Sequence, residues 1–181
     1  MNEAPLLGCR AMAIIMEGLT SCPICGSTDL SKPYTATSGV AFPEGDELWR
    51  YCDAPLHLEC LAHWPHRERF SRGYFDLWRD ESMSGHGVLL AEAPRWLLRC
   101  GPAKPEAEPY YVEVRIADWP MRLYSRWAQW PDYSAQQYRQ GLIGEALEAA
   151  DEVMSEVRKI APDLESLRAL RQRMLFKPAS P

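Results

Sequence analysis

The chain has 181 residues, of which 46% are apolar and 25% charged, with a formal net charge of −5. These are ordinary values for a globular protein, enough for one domain or for a small metal module fused to a modest second one, and the acidic balance argues against polyanion binding by the chain as a whole. Fifteen prolines break it into short elements, and seven tryptophans and eight tyrosines are many for this length, so a mixed and irregular α+β fold is expected rather than a long bundle.

Residues 1–20 read as an N-terminal tail. The apolar run over residues 11–16 is too short to span a bilayer, follows a single arginine and lacks a small-residue cleavage site. Neither a membrane segment nor secretion is expected. In a reduced, cytoplasmic setting the six cysteines, Cys9, Cys22, Cys25, Cys52, Cys60 and Cys100, point to metal rather than to disulfides.

Cys22-Pro23-Ile24-Cys25 and His57-Leu58-Glu59-Cys60 are two donor pairs, each with two residues between its donors. Zn²⁺ in a closed site takes four nitrogen or sulfur donors in a tetrahedron, and two donors at this spacing bend back on one ion. One structural Zn²⁺ on Cys22, Cys25, His57 and Cys60 is expected. It would close a long loop that the chain otherwise closes only at an entropic cost. Cys52 competes with His57 for the fourth place. His63, three residues beyond Cys60, is a further candidate.

Residues 26–46, rich in Ser, Thr, Gly and Pro without a sustained period, read as a loop within the metal module. Residues 47–52 resemble a short strand delivering Cys52, and residues 58–64 a short helix. From residue 66 to 80, Phe70, Tyr74, Leu77 and Trp78 fall at helical spacing, the usual pattern of a helix that buries its aromatics. Residues 88–91 and 96–100 form a hairpin around Glu92-Ala93-Pro94-Arg95. Residues 110–117 alternate, with Tyr110, Val112, Val114 and Ile116 on one side, and residues 121–127 do the same, giving an antiparallel sheet of about four strands. Ser134 with Gln137 carries a capping-box signature for a helix reaching Ile160, and a second helix follows over residues 164–176 with Leu167, Leu170 and Met174 inward. Residues 177–181 read as a tail.

The order Cys-x2-Cys, then Cys-x4-His-x2-Cys, then Trp64 resembles the front part of a RING-type zinc finger over residues 21–65. The resemblance implies that Cys22, Cys25, His57 and Cys60 share one ion, and that Ile24 stands where the family places an apolar docking residue. The second site of a RING is missing its ligands, with Ala54 where one belongs and no closing Cys-x2-Cys. In that light Cys52 is either a fourth ligand in place of His57 or a remnant of the lost site. What remains resembles a single-zinc treble clef. The expected organisation is a RING-like zinc module over 21–66 and an α+β portion over 67–176, with the sheet followed by a C-terminal helical hairpin.

No catalytic residue is expected. Glu59 lies beside the donors, but the order of motifs is wrong for a zinc deaminase, and neither a P-loop nor a dinucleotide fingerprint occurs. The leading expectation is an interaction or adaptor protein that binds another protein through Trp119, Arg122, Arg126, Trp127 and Trp130, because Trp and Arg are frequent interface anchors. The alternative is a ubiquitin-ligase-like protein that docks a conjugating enzyme through Ile24. Nucleic-acid binding is the weakest expectation, since the Arg excess in this stretch is small.

Overall fold

The computed structural model describes residues 15–80, 87–102, 104 and 106–176. Cys9, most of the tail expected over residues 1–20, and the one expected over 177–181 lie outside the described residues. Among those described, the fold is mixed helix and sheet, with five α-helices and two antiparallel sheets.

The N-terminal part holds a two-stranded sheet, β1 (Tyr34–Ala36) against β2 (Pro55–His57), with Tyr34 opposite His57. α1 (Leu58–Ala62) follows directly, and α2 (Arg67–Arg79) comes after it. The expected loop over 26–46 thus contains a strand. Three residues are too few to show a period, and the pairing depends on a partner some twenty residues away. The strand expected over 47–52 is instead a 3₁₀ turn at Trp49–Tyr51. Asp46 decides this, because its Oδ1 accepts the Leu48 N–H at 2.8 Å and its carbonyl accepts the Trp49 N–H at 3.0 Å, an aspartate-initiated turn.

Gly73 lies on the face of α2 that meets the Phe42 ring, which stacks on Phe70 with centroids 5.6 Å apart. A β-carbon added at Gly73 would run into the Phe42 ring. Gly73→Ala is therefore expected to destabilise by about 1–3 kcal/mol, although alanine in an open helix position would gain about 1 kcal/mol. Urea unfolding reads the sign; a more stable variant would show that the Phe42 ring is free to move aside.

The second sheet runs in the order β3 (Val88–Ala93), β4 (Trp96–Gly101), β5 (Tyr111–Ile116), β6 (Arg122–Arg126), all antiparallel. Its hairpin turn is shorter than the sequence suggests, only Pro94 and Arg95 lying between β3 and β4. The registers Leu98↔Val114, Cys100↔Val112 and Val114↔Leu123 line up one apolar face. That face belongs to the same buried cluster as Val153, Met154, Val157 and Leu167 of the C-terminal helices. On the other face Leu97, with Phe75 of α2 and Ala117, forms a smaller cluster. Helices cover both faces, so all of β4 is buried. Leu48, Leu56, Leu58 and Leu61 of the N-terminal part belong to the larger cluster too.

After β6 come α3 (Trp130–Ala135), α4 (Gly144–Ile160) and α5 (Leu164–Leu175). The capping box expected at Ser134 does not form. Pro131 opens α3, the buried Ser134 sits inside it, and its hydroxyl donates to the Pro131 carbonyl at 3.2 Å. Gly141 and Gly144, at φ +78° and +50°, carry the chain through left-handed turns that few other residues adopt, and the long helix starts only there. Asp163 caps α5, its Oδ1 accepting the Ser166 N–H at 2.8 Å.

Candidate metal centre

Cys22-Pro23-Ile24-Cys25 closes on itself as a tight turn. The Gly26 N–H donates to the Cys22 carbonyl at 2.7 Å and the Cys22 N–H to the Ser27 carbonyl at 2.9 Å. Gly26, at φ +75°, turns the chain away after the second cysteine, a conformation that favours glycine. The other pair is set by a strand-to-helix junction. His57 ends β2 and stands as the N-cap of α1, and Cys60 lies in its first turn.

The two halves meet. One ligand atom from each of Cys22, Cys25, His57 and Cys60 lies within 4.8 Å of all the others. His57 Nδ1 is 3.4 Å from Cys25 Sγ and 3.8 Å from Cys60 Sγ. A tetrahedral ion with Zn–N of about 2.0–2.1 Å and Zn–S of about 2.3 Å separates nitrogen from sulfur by about 3.6 Å. These donors therefore stand where one tetrahedral ion needs them.

His57 is 2% exposed, and its outer nitrogen Nε2 lies 3.0 Å from the Asp29 carbonyl oxygen. A carbonyl only accepts, so Nε2 carries the proton and the lone pair on Nδ1 faces the thiols. This outer contact is the kind that orients a metal-binding histidine. Hydrogen bonding, first from the Ser27 backbone, pulls the Cys25 thiol down to about 7, whereas burial, with the neighbouring thiols, pushes Cys60 up to about 12. Three thiols and an imidazole lone pair crowded together offer much negative character and no cation of their own. A divalent ion is the chemistry this set suits.

No protein-family model matches this chain, and neither a curated protein nor a solved structure matches it. The site therefore stands on its geometry alone.

The other candidates lie elsewhere. Cys52 is outside the cluster, its Sγ 3.8 Å from the Leu48 carbonyl and near the Tyr74 hydroxyl. His63 is exposed at the C-cap of α1, and His66 faces Glu47 at 3.8 Å. Ile24 is half-buried against the core. Cys100 is fully buried in β4.

The aromatic interaction surface needs correction. Trp119, Trp127 and Trp130 are 3%, 3% and 0% exposed, so none is a surface anchor. Each is used internally: Trp119 lies under the Arg67 guanidinium at 4.6 Å, Trp127 Nε1 donates to Glu108 Oε1 at 3.1 Å, and Trp130 Nε1 donates to the Ala161 carbonyl at 2.8 Å. Large aromatic surfaces are withdrawn from water whenever a neighbouring element can cover them. Arg122 and Arg126 remain exposed on β6, together with Tyr124. Arg122 lies over the Tyr124 and Tyr111 rings at 4.5 and 5.7 Å, the two rings stack at 5.4 Å, and Arg122 Nε bonds Glu113 Oε2 at 2.6 Å.

Sequence reasoning missed the Asp29 carbonyl that orients His57, because every residue carries a carbonyl and none is marked in the sequence. Among the described residues no helix is long and apolar enough to cross a membrane.

Proposed function

We propose that the protein binds one Zn²⁺ through Cys22, Cys25, His57 and Cys60, and that this ion is structural. The observation that carries it is the convergence of four soft donors from two distant segments within 4.8 Å, with the His57 ring already oriented by Asp29. A full set of four protein donors leaves no open position for a reacting water, which separates this arrangement from a catalytic zinc site. The turn bearing Cys22 and Cys25, the β1–β2 pair and α1 with its His57 N-cap follow in the order of a treble clef, the shape that a RING keeps when its second site is lost.

Metal analysis of the purified protein tests this reading. One zinc per chain is expected, lost in Cys25→Ser and His57→Ala and retained in Cys52→Ser. Two zincs would overturn the single-site reading, and zinc lost with Cys52 would move the fourth ligand there.

The module serves, in this reading, an interaction or adaptor protein. Support comes from the exposed Arg122, Tyr124 and Arg126 of the edge strand β6, with Tyr124 under the Arg122 guanidinium and stacked on the half-buried Tyr111 of β5, a prearranged set of Tyr and Arg anchors. Its Arg side chains favour an acidic segment of a partner protein. The double substitution Arg122→Ala with Tyr124→Ala should abolish recovery of cellular partners by the tagged protein and leave its zinc content unchanged. An identical set of partners would remove this surface from the proposal.

A further inference from the structure

The donors of the metal centre do not meet solvent equally. Cys22 is fully buried, the His57 ring 2% exposed and Cys60 half-buried, whereas Cys25 is exposed. Solvent therefore reaches the cluster at Cys25. Outside the cluster Cys52 is half-buried and Cys100 fully buried, so among the described residues Cys25 is the one exposed thiol.

Two further thiols stand beside it. The ligand atoms of Cys22, Cys25 and Cys60 lie within 4.8 Å of one another. Cys22 and Cys25 are the ends of a turn that the backbone closes by itself, through the Gly26 N–H on the Cys22 carbonyl at 2.7 Å and the Cys22 N–H on the Ser27 carbonyl at 2.9 Å. A turn brings the α-carbons of its first and fourth residues within about 7 Å, and a disulfide spans about 4.4–6.8 Å between α-carbons. Cys60 comes from another segment, on α1, and meets that turn where the two segments converge on the site.

Thiolate character and solvent access decide which cysteine a peroxide oxidises, and a neighbouring thiol turns the product into a disulfide. A bound divalent ion keeps its thiols deprotonated. Cys25 combines the three conditions.

We propose that Cys25 is a redox-modification site: a small hydroperoxide, hydrogen peroxide, oxidises it, a disulfide closes to Cys22, and the metal is released. This rests on the zinc reading above. The Cys25 sulfur attacks one peroxide oxygen, an S–O bond forms, the O–O bond breaks, and the departing hydroxide takes a proton from solvent to become water. The Cys22 thiolate then attacks the Cys25 sulfur, the S–S bond forms, the S–O bond breaks, and the second hydroxide leaves as water in the same way. Two electrons pass from the sulfurs to the peroxide. Cys22 is the resolving partner because the hydrogen bonds of its own turn keep it beside Cys25 after the metal set has lost a sulfur, whereas Cys60 depends on a second segment staying in place. Two of the four donors are then tied to each other, and His57 with Cys60 alone leaves an incomplete set.

The test uses the full-length chain as Cys9→Ser, first shown by metal analysis to be zinc-loaded, without reductant and with a zinc-binding dye. Hydrogen peroxide should release about one zinc per chain and convert the tryptic peptide of residues 11–50, whose cysteines are Cys22 and Cys25, to its internally disulfide-linked form. A dithiol reductant with added Zn²⁺ should restore both. Cys25→His supplies a nitrogen donor in place of the sulfur and should keep its zinc through the same treatment; the peptide map of the protein that retains Cys25 decides the matter even where this variant folds poorly. Zinc retained in peroxide, zinc released with Cys25 still a free thiol, or a disulfide that joins Cys25 to Cys60 would overturn the proposal while leaving the zinc reading intact. Protein that carries no zinc before peroxide is added would overturn the zinc reading and this proposal with it.

Discussion

Stripping the metal with a strong chelator is expected to lower the melting midpoint of the protein by about 10–20 °C, and Cys22→Ser is expected to do the same without chelator. The reason lies in what the ion would close. Cys22 and Cys25 on one side and His57 and Cys60 on the other are joined by a loop that contains β1, the Phe42 segment and the 3₁₀ turn at Trp49–Tyr51. Without an ion, the fully buried Cys22 and the 2% exposed His57 are left as a polar cluster with little to hold it. Structural zinc contributes about 10–16 kcal/mol of apparent binding free energy in isolated zinc-finger peptides. In a chain whose N-terminal part shares the larger apolar core with the sheet, a smaller share, about 5 kcal/mol, is expected, and a protein of this size loses about 2–4 °C per kcal/mol. Amide hydrogen exchange should show the loss first in residues 21–63 and last in β4 and β5. An unchanged melt after verified metal removal would mean that packing alone holds the module, and the structural role would fall.

The second large effect is expected at Trp130. It is fully buried, and its indole N–H reaches the carbonyl of Ala161, the C-cap of α4. Helix ends leave their last carbonyls without partners inside the helix, so this contact closes the end of α4 and ties α3 to the turn before α5. Trp130→Ala should cost about 3–5 kcal/mol, the range for deleting a large buried aromatic. Trp130→Phe should cost less, about 1–3 kcal/mol, mainly for the orphaned carbonyl. Urea unfolding followed by far-UV circular dichroism compares the two. A loss below about 1 kcal/mol for the alanine variant would place Trp130 outside the core. Partner recovery should fall only as far as folded protein falls, which separates this role from the interface role that its sequence neighbourhood suggests.

Much of the candidate site was legible in the sequence, because the pairs Cys22 with Cys25 and His57 with Cys60 encode local geometry: two donors at that spacing face one point whatever the rest of the chain does. Local periodicity likewise announced α2, the β3–β4 hairpin and the alternation of Leu123 and Ser125 against Arg122 and Tyr124 in β6, because each reports its own face. The start of α4 was misplaced for the converse reason. Ser134 and Gln137 matched a cap, but Pro131 had already opened a short helix, and the left-handed glycines at 141 and 144 set the real boundary.

The sequence by itself determined which residue types are able to hold an ion and which strands and helices alternate, since covalent spacing and side-chain period are properties of a few consecutive residues. Only the tertiary structure decided what each face meets. It paired β1 with β2, brought the Asp29 carbonyl to His57, buried Trp119, Trp127 and Trp130, and turned Glu113 and Arg115 toward α2 rather than toward solvent. Burial is set by the arrival of a distant element, whose position follows from the free energy of the whole core and not from the residues it covers.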